Sequence, residues 1–263
     1  MLARFPVAWP ETRAALHGHA RAMSLLPRRH AHPHPEWWHV GLEIGETGPA
    51  TTPITLPTGG VMVIAMDLTS HEAVATTSAG EERRWSLATT PPGSLADALA
   101  AFGASHGLGP DPTPDDLDRA APRYDPAAAA VFWGALRDVA SVFDRHMAAL
   151  PGDRGVTHLW PHGFDLSVEW YGRRLQPDDH GKLLPTRLNL GFDPGPRRQY
   201  FYSNPWPFDR ALLGTSLPEG ASWHTDDWLG TMLPYELVAD DPAGLDRLAR
   251  YTAAVFAAAS PTL

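Results

Sequence analysis

Hydrophobic residues along this chain recur at steps of three and four, then of two, then of three and four again, and that change of period narrows the fold most. The clearest helical stretch starts at Asp125, a capping residue, with Pro126 in the first turn. Phe132, Leu136, Val139, Phe143, Met147 and Leu150 then repeat at steps of four and three. Three more segments share this period. One runs from about Trp9 to Leu26 with Leu16, Ala20 and Met23 on one face. A second, Ser94 to His106, opens on Ser94 with Asp97 three residues later, an acidic variant of a capping box. A third comes after Asp241-Pro242 and carries Leu245, Leu248, Thr252, Val255 and Phe256 as one stripe.

Between these helices the period is two. Trp38 to Gly45 alternates, with Val40, Leu42 and Ile44 on one side and His39, Gly41 and Glu43 on the other. Gly60–Asp67 and Glu72–Ser78 predict a hairpin, and Glu82–Leu87 a further strand. Phe164–Tyr171, Arg187–Phe192 and Gln199–Ser203 predict the strands of the second half. A last one spans Gly230–Val238, with Pro234 marking an edge or a bulge. The pattern predicts an α+β fold, with antiparallel sheet or sheets packed by about four helices.

The Pro- and Asp-rich stretch Gly107 to Tyr124 reads as a linker, dividing the 263 residues into halves at 1–110 and 120–263, either separate or fused on one core. A shift of 126 residues overlays the two halves without a gap. Trp38 then meets Phe164, His39 meets Asp165, Gly41 meets Ser167, Glu43 meets Glu169 and Asp67 meets Asp193. The overlay predicts an internal duplication of a helix-strands-helix unit, and chance likeness of two amphipathic strands is the competing reading.

Charge and composition exclude several classes. The formal charge is −9 with no clustering of Lys and Arg, which argues against nucleic acid and anionic membranes as partners. There is no cysteine, hence no disulfide, thiolate site or Cys nucleophile. Met1 to Pro10 has no apolar run after Arg4 and no stretch reaches the roughly 18 apolar residues of a membrane span. A cytoplasmic protein is expected, and the Ala, Arg, Pro and Gly richness suggests a bacterial source. Ten tryptophans raise the expectation of an aromatic pocket.

Four short motifs occur in order: Trp37-Trp38-His39-Val40; Thr51-Thr52-Pro53-Ile54; Phe164-Asp165-Leu166-Ser167-Val168 with Gly172-Arg173-Arg174; and Leu233-Pro234-Tyr235-Glu236. In these the chain resembles the bacterial family catalogued as domain of unknown function 5996, from Trp9 to the last helix. The family has no assigned activity, cofactor or catalytic residues, so the resemblance implies membership and no mechanism. The run His30, His32, His34 departs from the family pattern.

That run is the first candidate site. Alternate His side chains on an extended segment point one way and can chelate zinc, nickel or copper, whereas a Pro-stiffened solvated loop is the plainer reading. The second candidate is the polar face of the paired strands. His39 is its acid–base candidate with Asp165 or Glu169 as charged partner, and Trp38, Glu43 and Trp170 are the binding residues around them. A solvent-facing sheet with cross-strand ion pairs competes with it, as does a His39 satisfied in the core. The third candidate places His162, in Trp160-Pro161-His162-Gly163, at a strand mouth. His224 is a further binding candidate: with Asp226 and Asp227 it could hold a hard or borderline metal, and an ordinary exposed turn is the plainer reading. No metal site is assigned and no cofactor can be named.

Phosphate-loop, dinucleotide, zinc-protease and nucleophile-elbow signatures are absent. The function expected is a small-molecule-binding protein or enzyme with an aromatic, His- and carboxylate-lined cleft. The alternative is a non-catalytic interaction module, which predicts a homodimer.

Overall fold

The computed structural model describes residues 1–110, 114 and 116–263. Among these residues the helices are α1 (Trp9–His30), α2 (Pro92–Ser105), α3 (Pro126–Ala149) and α4 (Gly244–Ala259). The strands are β1 (Leu42–Ile44), β2 (Pro49–Thr51), β3 (Ile54–Thr55), β4 (Val61–Asp67), β5 (Glu72–Thr77), β6 (Glu82–Ser86), β7 (Asp153–Arg154) and β8 (His158–Trp160). They continue as β9 (Asp165–Pro177), β10 (Leu183–Asp193), β11 (Tyr200–Ser203), β12 (Pro205–Trp206), β13 (Ser222–His224) and β14 (Gly230–Pro234). The fold is α+β and its strand pairs are antiparallel.

Two compact units make up the chain, and no single cut separates them. The first holds Phe5–Trp133 with His158–Phe164; the second holds Met1–Arg4, Gly134–Thr157 and Asp165–Leu263. Helix α3 passes from one to the other between Trp133 and Gly134.

In the first unit the sheet order is β8-β1-β2-β4-β5-β6, with β3 on β4. The hairpin of β4 and β5 closes at Asp67 opposite Glu72, and Met62, Ile64 and Met66 are buried on one face, as period two requires. Helices α1 and α2 pack closely because position 18 is glycine: a Cβ there would lie 2.6 Å from Pro92 Cγ. Trp9, Phe132 and Phe164 stack at centroid distances of 5.1 and 5.2 Å, all fully buried. This aromatic column joins α1, the start of α3 and the segment after β8.

Several element boundaries differ from the sequence expectation, and at three of them the local cause is visible. Trp38–Val40 is a 3-10 turn, and the strand is confined to Leu42–Ile44. The amides of Val40 and Gly41 bond back to Trp37 and Trp38, so they are spent in the turn. His39 and Glu43 therefore do not form one strand row. Helix α2 begins at Pro92 without a side-chain cap, Ser94 lies inside it, and Asp97 bonds Arg119 at 2.7 Å. Helix α4 begins at Gly244, and Asp241 Oδ1 accepts from the Ala243 amide at 2.8 Å just before it. At α3, by contrast, Asp125 Oδ1 accepts from the amides of Ala127 and Ala128, the cap expected.

Part of the stretch read as a linker, residues 111–113 and 115, lies outside the described residues. Its C-terminal part, residues 116–124, is tied to the first unit. The Gly93 amide donates to Asp118 O, Arg123 pairs with Glu11, and the adjoining Asp125 amide donates to Thr12 Oγ1.

The second unit has the order β13-β14-β11-β10-β9, with β12 on β10 and β7 on β9. Leu166, Val168 and Trp170 form the buried face of β9, opposite Asp165 and Glu169. Strand β14 stops at Pro234, where a 3-10 turn takes over. The overlay by 126 residues pairs the 3-10 turn at Trp38 with the start of the long strand β9, two different backbones. Among the described residues no helix is long and apolar enough to cross a membrane.

Candidate functional site

A cavity of about 350 Å³ opens in the first unit, within the range of small-molecule sites. Helix α1 contributes Ser24 and Arg28, one turn apart. The 3-10 segment contributes Trp37 and Val40, and the end of β8 with its turn contributes Trp160, Pro161 and His162.

Each wall has a local cause. After β8 the chain makes one helical turn, closed by the Phe164 amide donating to Trp160 O at 2.8 Å, and Phe164 stands at φ 60°. Side chains four apart on α1 hold this turn. Arg13 Nη2 donates to Gly163 O at 3.0 Å, and His17 Nε2 donates to Pro161 O at 3.0 Å and His162 O at 3.2 Å. Two carbonyl acceptors place the proton of His17 on Nε2. Burial pushes the His17 pKa down and the Arg13 charge adds to this, against the raising effect of the carbonyl bonds.

The facing wall rests on Trp37, whose φ of 60° is a strained conformation for a bulky residue. Its amide donates to His34 O at 2.9 Å, while its ring stays 55% exposed. That ring stacks on His39 at 5.6 Å, and the Arg28 guanidinium lies 5.8 Å from its centroid. His39 is 7% exposed and its Nδ1 accepts the His34 amide at 3.1 Å. Burial pushes its pKa down, with His34, Arg28 and His32 adding to the effect. Histidine and tryptophan alternate around the site. His34 stacks on Trp38 at 4.2 Å, Trp38 lies 6.1 Å from His158, His158 5.4 Å from Trp160, and Trp160 6.0 Å from His162.

Among the described residues the lining contains no carboxylate. Arg28 has neither a hydrogen-bond acceptor nor an ion-pair partner among them, and its ring neighbour is Trp37. The exposed His162 ring likewise has no hydrogen-bond partner among the described residues.

Of the residues singled out from sequence, His162 lines this cavity, while Trp38 and His39 support its walls. Glu43 is exposed on β1, in register with Ala50 and His158, and does not line it. Asp165, Glu169, Trp170 and His224 belong to the second unit, where each has its own partners. Asp165 accepts the Tyr202 hydroxyl, whose pKa is pushed well up by burial and then by that carboxylate. Glu169 accepts from the Tyr171 hydroxyl at 2.9 Å. Trp170 is core: its Nε1 donates to Pro151 O at 2.7 Å and its ring meets Phe256 edge-on. His224 pairs with Asp227 at 2.7 Å and packs on Trp228. His39 and Asp165 thus lie in different units. The His30, His32, His34 run disperses: His30 ends α1, His32 Nδ1 meets Pro33 O, and His34 Nδ1 accepts the Glu36 amide. Among the described residues no three His, Asp or Glu side chains converge as metal ligands.

Arg13, His17, Ser24 and Arg28 were not singled out from sequence. The available signal was a polar stripe at helical spacing on α1, beside the buried face of Leu16, Ala20 and Met23.

Fold and site define an α+β protein of two antiparallel-sheet units with an aromatic, cation-edged pocket in the first. Such a description fits many chemistries. The chain belongs to the family of unknown function DUF5996, whose model matches residues 4–263. No curated protein and no solved structure matches it.

Proposed function

We propose that this protein binds a small molecule in the pocket walled by Trp37 and Trp160. The observation that carries the reading is Trp37 itself: a large aromatic ring left over half exposed on a left-handed backbone, at the mouth of a cavity of about 350 Å³. Strain of this kind clusters at ligand clamps because the surroundings must hold it in place. Binding is favoured over catalysis, since His162 is the one acid–base group among the described lining residues and no carboxylate there could orient it. His39, the acid–base candidate from sequence, acts here as the support of Trp37. The reading takes the protein to be bacterial and cytosolic, on the support of its cysteine-free, Ala- and Arg-rich composition.

The test is a ligand-observed NMR screen of a small-fragment library against the wild-type chain and Trp160→Leu. Hits that disappear in a variant with unchanged circular dichroism support the reading. A wild-type chain with no hits, or hits indifferent to Trp160, overturns it.

A further inference from the structure

Resting on that reading of the pocket, we infer that its ligand is a small planar organic anion, an aromatic carboxylate held by Arg28 with its ring against the tryptophans. The argument begins with charge. The chain carries −9 overall, yet among the described residues the ionisable side chains lining this cavity are Arg28 and His162 alone. Two cations of helix α1, Arg21 and Arg28, differ in their carboxylate neighbours. Arg21 pairs with Asp116 at 2.5 Å, whereas Arg28 has no such partner among the described residues.

Geometry decides how that charge is presented. The guanidinium carbon lies over the Trp37 ring at 5.8 Å, a cation–π contact that consumes none of its N–H donors. A planar fork of donors matches a carboxylate two bonds at a time, which a point charge does not. Trp37 and Trp160 offer flat apolar surface to an aromatic ring attached to that carboxylate. His162, 6.0 Å from Trp160 by ring centroids, supplies a second nitrogen donor at the rim. A cationic ligand would meet Arg28 with no compensating carboxylate, so the lining discriminates by repulsion as well as attraction.

The probes are 2-naphthoate and its neutral isostere 2-naphthamide, titrated by calorimetry and followed by saturation-transfer NMR against the wild type, Arg28→Gln and Trp160→Leu. The naphthoate is expected to bind at least about ten-fold more tightly than the amide, a difference of about 1.4 kcal/mol. Arg28→Gln should weaken naphthoate far more than the amide and so close the gap between them, and Trp160→Leu should weaken both. Equal affinity for the two probes, or a naphthoate affinity unchanged in Arg28→Gln, overturns the assignment of an anion. The pocket would survive that result provided Trp160→Leu still weakens binding. If neither probe binds, or if Trp160→Leu affects neither, the pocket reading falls and the ligand class with it.

Discussion

His17 Nε2 donates to the carbonyl oxygen of Pro161 at 3.0 Å, across 144 residues of sequence. Through this bond, and its companion to His162 O, helix α1 sets the position of the pocket wall that carries Trp160 and His162. Removing the ring leaves two carbonyls with no protein donor. His17→Ala should lower stability by about 1–3 kcal/mol, the cost of leaving the part-buried Pro161 carbonyl unpaired, since water can reach the exposed His162 carbonyl. Hydrogen exchange at the Phe164 amide should speed up in the same variant. Unaltered exchange there would show that the turn holds without the clamp.

Buried histidines make stability depend on pH. His19 is fully buried with Nε2 donating to Thr90 O at 2.8 Å, and burial pushes its pKa below the ordinary 6.5. His17, His39 and His146 are lowered as well, each chiefly by burial. The unfolded chain therefore takes up protons before the folded one. Stability is full above pH 6.5 and falls as the pH drops through 6.5 towards the folded values. Urea midpoints should decline between pH 7.5 and 5.5, and decline less in His19→Gln. A midpoint constant or rising over that interval would contradict the burial assigned to these rings.

Trp37 allows binding to be separated from folding. A left-handed backbone costs a non-glycine residue about 1–2 kcal/mol, and glycine escapes that cost. Trp37→Gly should accordingly be more stable than Trp37→Ala by about 1 kcal/mol, while both lose the exposed ring on which the proposed binding rests. The order of the two midpoints in urea is the measurement, and an Ala variant equal to or better than Gly would refute the strain.

Phe164 is fully buried in the column with Phe132 and Trp9. Truncation to Ala removes a large ring and opens a cavity, so Phe164→Ala should cost about 3–5 kcal/mol. A loss under about 1 kcal/mol would mean that the column does not hold the segment after β8.

Gly18 sets two effects against each other. Alanine is a better helix former by about 1 kcal/mol. Its Cβ, however, would lie 2.6 Å from Pro92 Cγ, and overpacking of this kind costs about 1–3 kcal/mol. The clash wins, so Gly18→Ala should destabilise; a higher melting temperature would show that α2 moves aside.

What could be read from the chain alone was local. The Asp125 cap and the stripe from Phe132 to Met147 place α3, and alternation from Val61 to Asp67 places β4, because capping and side-chain period act within a few residues. The same logic misplaced the backbone at Trp38: an alternating pattern also suits a turn feeding a short strand. What favours the turn is the left-handed Trp37, held by His34 O and stacked on His39. Local reasoning reached His162 and the expectation of an aromatic pocket, but not where the pocket lies. Its walls come from residues 24–28, 37–40 and 160–162, and Arg28 in the sequence is an ordinary cation at a helix end. Those segments meet because Trp9, Phe132 and Phe164 bury against one another and α1 clamps the turn after β8. Periodicity says which face of an element is apolar, but the partner that covers it is chosen by long-range packing.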